Sequence, residues 1–353
     1  MTTETRATTD IKAIGAIRHA RRTRRRRTLV VCAGLLAGAI AVFLLSLATG
    51  DKSIPLPDVL ATLTGGGSRG DEFIIMELRL PRAVTAVGVG AAFAVAGAIF
   101  QSLLRNPLAS PDVIGISAGA SAAAVVSLVI LGLSGPAVSL AALGGALTAA
   151  VLIYALAWRR GVTGYRLVLI GVGVASALTS TVSYVMTRSE TMVAQQAFVW
   201  LAGSLHGRSW DQARPLLLAL ALLIPLTVLA ARALPALQLG DDTARGLGAR
   251  TEPSRVALLL CAVALAGVAT AAAGPVGFVA FVSAPIARGL LRRQDAALLP
   301  AALTGVLVVL LSDYIGQHLL GPHQIPVGVV TSVVGAPYLL WLLATANRVG
   351  RGG

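Results

Sequence analysis

Charged residues, and lysine above all, are scarce in this sequence. Only 12% of the 353 residues are charged, and the two lysines are Lys12 and Lys52. Neither follows a glycine-rich loop, so the sequence contains no Walker A phosphate-binding motif, which depends on such a lysine. A charge content this low, beside a hydrophobic content of 56%, excludes an ordinary soluble domain and indicates a polytopic membrane protein.

Cysteine and histidine are too few and too widely spaced for a disulfide framework or a metal site. Cys32 and Cys261 lie in separate apolar runs, where buried free thiols are expected. The four histidines show no ligand-like spacing and stand at His19, His206, His318 and His323. The sequence therefore predicts no metal site, no cofactor and no catalytic centre.

Ionisable residues are nearly absent from the apolar runs. Asp313 is the one carboxylate that lies inside a predicted span and away from its first residue. A carrier driven by protons or sodium is expected to hold more ionisable groups within the membrane. A secondary transporter is therefore a distant alternative for this chain, and a membrane-embedded enzyme is less favoured still.

Hydropathy and charge predict an all-α protein with ten transmembrane helices. The predicted spans are 29–49, 83–104, 112–132, 136–157, 166–187, 214–234, 255–273, 275–291, 297–318 and 326–346. Glycines are spread through these spans, as in Gly34-x-x-x-Gly38 and Gly115-x-x-x-Gly119. Because small residues let helix backbones approach closely, both motifs predict helix packing.

The positive charge predicts which way the spans run. The net charge is +14, and with both termini in the cytoplasm only seven of the 29 basic residues face outward: Lys52, Arg69, Arg79, Arg82, Arg188, Arg208 and Arg214. This is the positive-inside pattern of a membrane protein rather than a nucleic-acid-binding patch. The predicted location is a multi-pass position in the cytoplasmic (inner) membrane.

The N-terminal part is polar and ends in a cluster of arginines between Arg21 and Arg27. A cleaved signal peptide is the competing interpretation, but the apolar run that follows is longer than a usual signal sequence. We therefore expect residues 1–28 to form a basic cytoplasmic arm that contacts anionic lipid. Residues 29–347 then form one permease domain, and residues 348–353 form a cytoplasmic tail.

One stretch, from Leu78 to Gly119, organises the rest of the chain. It has arginines at Arg79 and Arg82, an apolar helix, a polar break and then a second apolar helix. The polar break is Arg105-Asn106-Pro107, and the backbone from Asn106 to Ser110 is expected to be irregular. Because Asn106 precedes a proline it is biased away from helical geometry, and Pro111-Asp112 can begin the next helix.

This stretch resembles the family of ABC importer permeases for iron-siderophores, haem and cobalamin. The motifs that carry the resemblance are Leu80-Pro81-Arg82, the run from Gln101 to Pro111, and the run from Gly115 to Ala120. The resemblance continues to the C-terminus through Gly274-Pro275-Val276-Gly277-Phe278. The segment 200–205, Trp-Leu-Ala-Gly-Ser-Leu, is similar to that of permeases for catecholate siderophores, and the family places a short helix there.

The resemblance implies a transport function without bond chemistry. The chain is expected to be the membrane subunit of an ATP-driven importer that moves a ferric siderophore by alternating access. The implied partners are an ABC ATPase, a substrate-binding lipoprotein, a second permease subunit as a homo- or heterodimer, and membrane lipid, with no nucleic acid. Cobalamin and haem remain the alternative cargoes of the same architecture.

The segment 235–254, called the coupling loop here, is expected to dock on the ATPase. Leu237, Leu239, Ala244 and Leu247 predict a small exposed apolar face, which a loop does not normally present to water. In the family the corresponding segment forms the coupling helices. The residues that carry this resemblance are Leu239, Gly240, Asp241, Ala244, Leu247 and Gly248.

Two further sites are predicted at opposite ends of the second span. At the outer end, Arg79 and Arg82 are expected to meet acidic residues of the binding protein. At the inner end, the resemblance places a narrow part of the pathway beside the polar break. The residues expected at this inner gate are Asn106, Leu108, Thr163 and Gly164.

Overall fold

The structure is a computed structural model that describes residues 3–158, 164–292, 295–319 and 324–349. Within these ranges the chain is helical, with connecting turns and no strand. The predicted all-α fold is therefore confirmed.

Fifteen α-helices follow one another along the described chain. They are α1 (Thr3–Ala48), α2 (Leu56–Leu63), α3 (Arg69–Glu72), α4 (Leu80–Leu104), α5 (Ile116–Val129), α6 (Pro136–Ala157), α7 (Gly164–Thr187), α8 (Thr191–Leu201), α9 (Trp210–Ala230), α10 (Leu234–Gln238), α11 (Asp241–Gly246), α12 (Thr251–Ala273), α13 (Val279–Leu291), α14 (Leu298–His318) and α15 (Val327–Val349). A π-helix (Phe73–Arg79) joins α3 to α4, and a 3₁₀ turn (Ala231–Ala233) joins α9 to α10.

Ten of these elements correspond to the ten predicted spans. Among the described residues, seven helical segments are long and apolar enough to cross a membrane, and three shorter apolar helices lie in α5, α13 and α15. Some boundaries differ from the prediction. The first span belongs to a helix that already begins at Thr3, so part of the predicted arm is helical.

Two of the three short helices, α5 and α13, begin later than the predicted spans because the backbone before each is left-handed. Residues 111–115 form turns, and α5 begins only after Gly115, which has a φ of 94°. Likewise α13 begins after Phe278, with a φ of 65°, where the prediction began at Pro275. A left-handed residue interrupts the α-helical hydrogen-bond ladder, so each helix starts just beyond it.

The second span differs in the opposite direction, because its helical segment starts earlier than predicted, at Arg69 rather than at Ala83. Pro81 has no N–H to donate, and in a regular helix its ring would clash with the carbonyl of Glu77. The π-helix immediately before α4 widens the backbone there, and the N–H of Leu80 donates to the carbonyl of Ile75. The proline therefore lies inside a continuous helical rod instead of in front of it.

The helix α4 is buried along most of its length, and two glycines set its crossings. A Cβ atom on Gly90 would stand 2.6 Å from the carbonyl oxygen of Gly305 in α14. A Cβ atom on Gly97 would overlap the carbonyl of Ala280 in α13. The backbones touch at both places, and α4 is thereby the central helix of the bundle.

The two glycine motifs behave differently. Gly119 lies against the backbone of Gly145 in α6, where an added Cβ would stand 2.6 Å from the carbonyl oxygen, so this motif packs as predicted. Gly34 has no neighbour within 4 Å of an added Cβ, and Gly38 makes only an ordinary contact of 3.6 Å with Leu307. The prediction of close packing is therefore wrong for Gly34 within the described chain.

Candidate functional site

The bundle has two ends that hold the predicted sites. They are named here the Arg82 end and the Arg105 end, after residues near the two ends of α4. The Arg82 end holds an open cavity of about 670 Å³ lined by Arg79, Arg82, His206, Arg208, Asp313 and Gln324, among others. Arg208 donates from Nε to the carbonyl of Ser204 over 3.1 Å. Burial lowers the pKa of the Arg208 guanidinium, although arginine remains protonated at neutral pH.

Arg82 pairs with the intramembrane carboxylate. Its Nη2 lies 2.9 Å from Asp313 Oδ1 and its Nε lies 3.1 Å from Asp313 Oδ2, which is a two-point contact between α4 and α14. The two side chains are only 13% and 6% exposed. Gln317 donates to the same carboxylate over 2.7 Å, and Arg82 Nη1 donates to Gln324 over 3.0 Å. The charge of Arg82 is therefore compensated inside the protein.

Arg79 makes contacts of another kind. Its guanidinium donates to the backbone carbonyl of Leu47 over 2.7 Å and to that of Lys52 over 2.5 Å. Carbonyl acceptors hold the side chain in place, but they do not neutralise its charge. Of the two arginines predicted to dock a binding protein, Arg79 is thus the one whose hydrogen bonds go to neutral carbonyls, with the carboxylates of Asp51 and Asp71 nearby.

The polar break lies at the Arg105 end and has a defined backbone. Arg105 ends α4 in a left-handed conformation with a φ of 50°. The Asn106 side chain accepts a hydrogen bond of 2.9 Å from the N–H of Leu108, and the residues that follow, Ala109 and Ser110, are buried. Asn106 itself is exposed and Leu108 is half-buried.

The predicted gate residues are only partly within the described chain. Gly164, the first residue of α7, lies against the end of α4, where an added Cβ would stand 2.8 Å from Leu104 Cδ2. The structure thus places Gly164 against the residue that precedes the polar break. Thr163 lies outside the described residues, and its part in the gate stays a prediction.

The coupling loop projects from the same end and exposes two leucines. Leu239 is 60% exposed and Leu247 is 66% exposed, as predicted. Leu237 and Ala244 were expected on the same exposed face, but they are 5% and 0% exposed. That part of the prediction is wrong, because the two side chains point inward and fix the loop to the bundle.

The backbone of the coupling loop explains its shape. The short helix α11 begins at Asp241, directly after Gly240, whose φ is 105°. The loop turns away from α11 at Gly248, whose φ is 79°. Both glycines adopt left-handed backbone that other residues rarely take, so they define the geometry in which the two leucines are presented.

The sequence did not predict the polar contacts between distant segments. Besides the pairing of Arg82 with Asp313, Arg288 in α13 donates to Gln101 in α4 over 3.0 Å, and Gln101 donates to the carbonyl of Phe281 over 3.0 Å. The isolated Asp313 was a signal that a cation lies nearby. No comparable signal pointed to the partner of Arg288.

An all-helical bundle of apolar spans, with a polar cavity at one end and an anchored loop of exposed leucines at the other, has the architecture of a membrane transport permease. The chain belongs to the FecCD transport family, whose model matches residues 38–345. This match spans nearly the whole described bundle, and it confirms the family that the sequence motifs indicated.

Individual relatives agree with this assignment. The ferric enterobactin transport system permease protein FepG of Escherichia coli is 38% identical over 92% of this chain and 98% of its own length. The achromobactin transport system permease protein CbrC of Dickeya dadantii is 43% identical over 86% of this chain and 88% of its own length. A solved inward-facing structure of a metal-chelate type ABC transporter is 25% identical, with a TM-score of 0.75 over 90% of this chain and 99% of that one.

Proposed function

We propose that this chain is the permease subunit of an ATP-driven importer that carries ferric siderophores across the cytoplasmic membrane by alternating access. The family match supports a transport function. The relatives named for ferric enterobactin and achromobactin support a siderophore as the cargo. The protein itself provides a path and a gate, and a partner ATPase supplies the energy.

The observation that carries the proposal is the coupling loop. Two leucines more than half exposed, Leu239 and Leu247, stand on a loop that buried Leu234, Leu237 and Ala244 hold to the bundle. Exposed apolar side chains on a rigid support are typical of a surface that another protein covers. In an importer of this class that protein is the ATPase, and the loop transmits its motion to the permease.

The exposed face of α7 supports a second permease subunit. Ser176, Ser180, Ser183 and Thr187 are exposed and share one helical face, because their spacing follows the turns of the helix. The hydroxyls of Ser176, Ser180 and Thr187 donate to carbonyls of their own helix, and small side chains of this kind are enriched where transmembrane helices pack against one another. We therefore place this face of α7 at the pathway between two permease subunits, which form a homo- or heterodimer.

The charges at the two ends support the orientation. Arg105, Arg245 and Arg250 lie at the Arg105 end together with the coupling loop. The positive-inside pattern assigns this end to the cytoplasm, with the cavity at the Arg82 end facing outward. The inner gate is then the surroundings of Asn106, Leu108, Thr163 and Gly164, and the cavity faces the substrate-binding lipoprotein.

The cargo is tested by uptake in a strain that lacks this gene. Labelled ferric catecholate siderophore, labelled cobalamin and labelled haem are supplied in turn, with the gene restored on a plasmid. Restoration of siderophore uptake alone is expected. If only cobalamin or haem uptake depends on the gene, the permease assignment stands and the cargo assignment is wrong. If none of the three depends on it, the proposed function is contradicted.

A charge in the exposed apolar surface of the coupling loop should separate the permease from its ATPase. Leu239→Asp and Leu247→Asp would each force a carboxylate into an apolar contact, which costs about 1–3 kcal/mol or more when the charge has no partner. We expect the variants to reach the membrane but to lose most of the co-purifying ATPase. Thr243→Asp, at an exposed position of the same loop, is the matched control. Retention of ATPase by both leucine variants would rule out this surface.

Reversal of one arginine tests docking at the outer end. Because Arg82 is bound to Asp313, reversing its charge would disturb the fold, so Arg79→Glu is the cleaner change. We expect it to raise the half-saturating concentration of binding protein severalfold, while Arg79→Gln, which removes the charge and keeps a donor, has a smaller effect. Equal concentrations for all three proteins in reconstituted vesicles would contradict a docking role.

A further inference from the structure

Arg105 joins the end of α4 to the coupling loop. Its Nη2 donates to the backbone carbonyl of Leu237 over 2.8 Å, across 132 residues of sequence. A Cβ atom on Gly240 would stand 3.8 Å from the same nitrogen, so the guanidinium also lies beside the left-handed residue that leads into α11. A single side chain thus lies beside both α10 and the residue that leads into α11.

The acceptor of this hydrogen bond lies on a buried element, and the donor is an exposed side chain on a defined backbone turn. Leu237 and Leu234, on α10, belong to the main apolar core of the bundle, with side chains 5% and 2% exposed. Arg105 follows directly after α4 and has a left-handed backbone, and the side chain of its neighbour Asn106 accepts a hydrogen bond from the N–H of Leu108. A shift of α10 would therefore displace the acceptor of the Arg105 guanidinium, next to the polar break.

The geometry points to Arg105 as the positioning residue that transmits movement of the coupling loop to the polar break. This inference rests on the proposed function and deepens it. When the ATPase moves Leu239 and Leu247, α10 moves with them, and the hydrogen bond from Arg105 to Leu237 displaces Asn106 and Leu108. An alternative is that Arg105 merely holds the loop in place, so that its loss weakens assembly without affecting coupling.

The chemistry of the bond explains why an arginine suits this position. The left-handed backbone at the end of α4 turns the chain, and the guanidinium spans the distance to a carbonyl on another element with several donors in one plane. A lysine retains the charge, but it has a compact head and no such plane. We therefore expect Arg105→Lys to keep only part of the coupling between the loop and the polar break, and Arg105→Gln to keep less.

The experiment uses the complete transporter, with its ATPase and binding protein, reconstituted in vesicles. Arg105→Ala, Arg105→Gln and Arg105→Lys are compared with the wild type for ferric siderophore transported per ATP hydrolysed. We expect Arg105→Ala to retain the ATPase and its hydrolysis but to lower this ratio more than tenfold, with lysine in between. Arg292→Ala is the matched control, because Arg292 is an exposed arginine that follows α13 with the same left-handed φ of 50° but lies outside the coupling loop. Its ratio should not change.

A second readout follows the gate itself. A cysteine replaces Leu108 in a protein without Cys32 and Cys261, and its rate of reaction with a polar maleimide is measured with and without ATP. We expect the rate to depend on nucleotide in the wild-type background but not with Arg105→Ala. Unchanged transport per ATP and a rate that still responds to nucleotide would overturn the inference.

The outcomes separate this inference from the proposed function. If the wild-type complex transports no siderophore, the proposed function fails. If the wild type transports and Arg105→Ala remains coupled, only the role of Arg105 fails. If the alanine, glutamine and lysine variants all fail to assemble with the ATPase, Arg105 serves assembly alone and the inference is again overturned.

Discussion

Replacement of Asp313 by alanine is expected to lower the free energy of unfolding by about 3–5 kcal/mol, because it leaves the Arg82 guanidinium buried without its partner. The carboxylate is 6% exposed and also accepts from Gln317, so two side chains, Arg82 and Gln317, lose their acceptor. The measurement is the unfolding midpoint of the purified permease in detergent. The lost contact also joins α4 to α14, so uptake should fall together with stability.

A double variant separates the cost of an unpaired charge from the value of the pair. Arg82→Met combined with Asp313→Leu removes both charges and keeps apolar volume, and such replacements of buried pairs are often neutral or stabilising. We therefore expect the double variant to recover most of the stability lost by Asp313→Ala. If the double variant is as unstable as the single one, the pair does more than compensate two buried charges.

The same double variant bears on docking. If Arg82 holds α14 and has no contact with the binding protein, the double variant should keep normal affinity for that protein, whereas Arg79→Glu should lose affinity. If the double variant folds and yet binds poorly, Arg82 shares the docking role. The stability and binding measurements together therefore assign each arginine to one role.

Replacement of Gly97 by alanine is expected to destabilise the bundle by about 3 kcal/mol, at the upper end of the usual cost of overpacking. The added methyl group would overlap the carbonyl oxygen of Ala280 and stand 2.9 Å from its Cα atom. A backbone cannot move aside as a flexible side chain can, so α4 and α13 must separate. The neighbouring bonds from Gln101 to Phe281 and from Arg288 to Gln101 would be strained as well.

Gly144→Ala is the control for this substitution. Gly144 lies within α6, and nothing stands within 4 Å of an added Cβ. Alanine in a helix interior is favoured over glycine by about 0.5–1 kcal/mol, so a neutral or slightly stabilising effect is expected. Equal loss of stability at both positions would mean that the crossing of α4 and α13 is looser than the structure indicates.

Much of the fold is predictable from the sequence because each span is a local property. Hydropathy over about twenty residues is enough to place a helix in a membrane, and the ten predicted spans all correspond to helices. The errors of the prediction concern the residues at which the helices begin. The late start of α5 and α13 depends on left-handed backbone at Gly115 and Phe278, which composition does not reveal.

The candidate sites were only partly predictable, for a related reason. The exposed Leu239 and Leu247 were found because leucine in a polar loop is conspicuous, whereas the inward direction of Leu237 and Ala244 depends on how the loop folds back on the bundle. Docking by Arg79 and the inner gate remain proposals for experiment. Arg82 shows why a motif is not enough, since its partner lies 231 residues further along the chain.

The sequence by itself determined the class, the number of spans and the family, because these follow from hydropathy, charge and short motifs that lie close together in the chain. The tertiary structure alone decided which charges are paired, which leucines are exposed and which glycines touch another backbone. Those properties belong to contacts between helices, such as Arg105 with Leu237 and Arg82 with Asp313. No local pattern contains them, because each contact exists only when two distant segments meet.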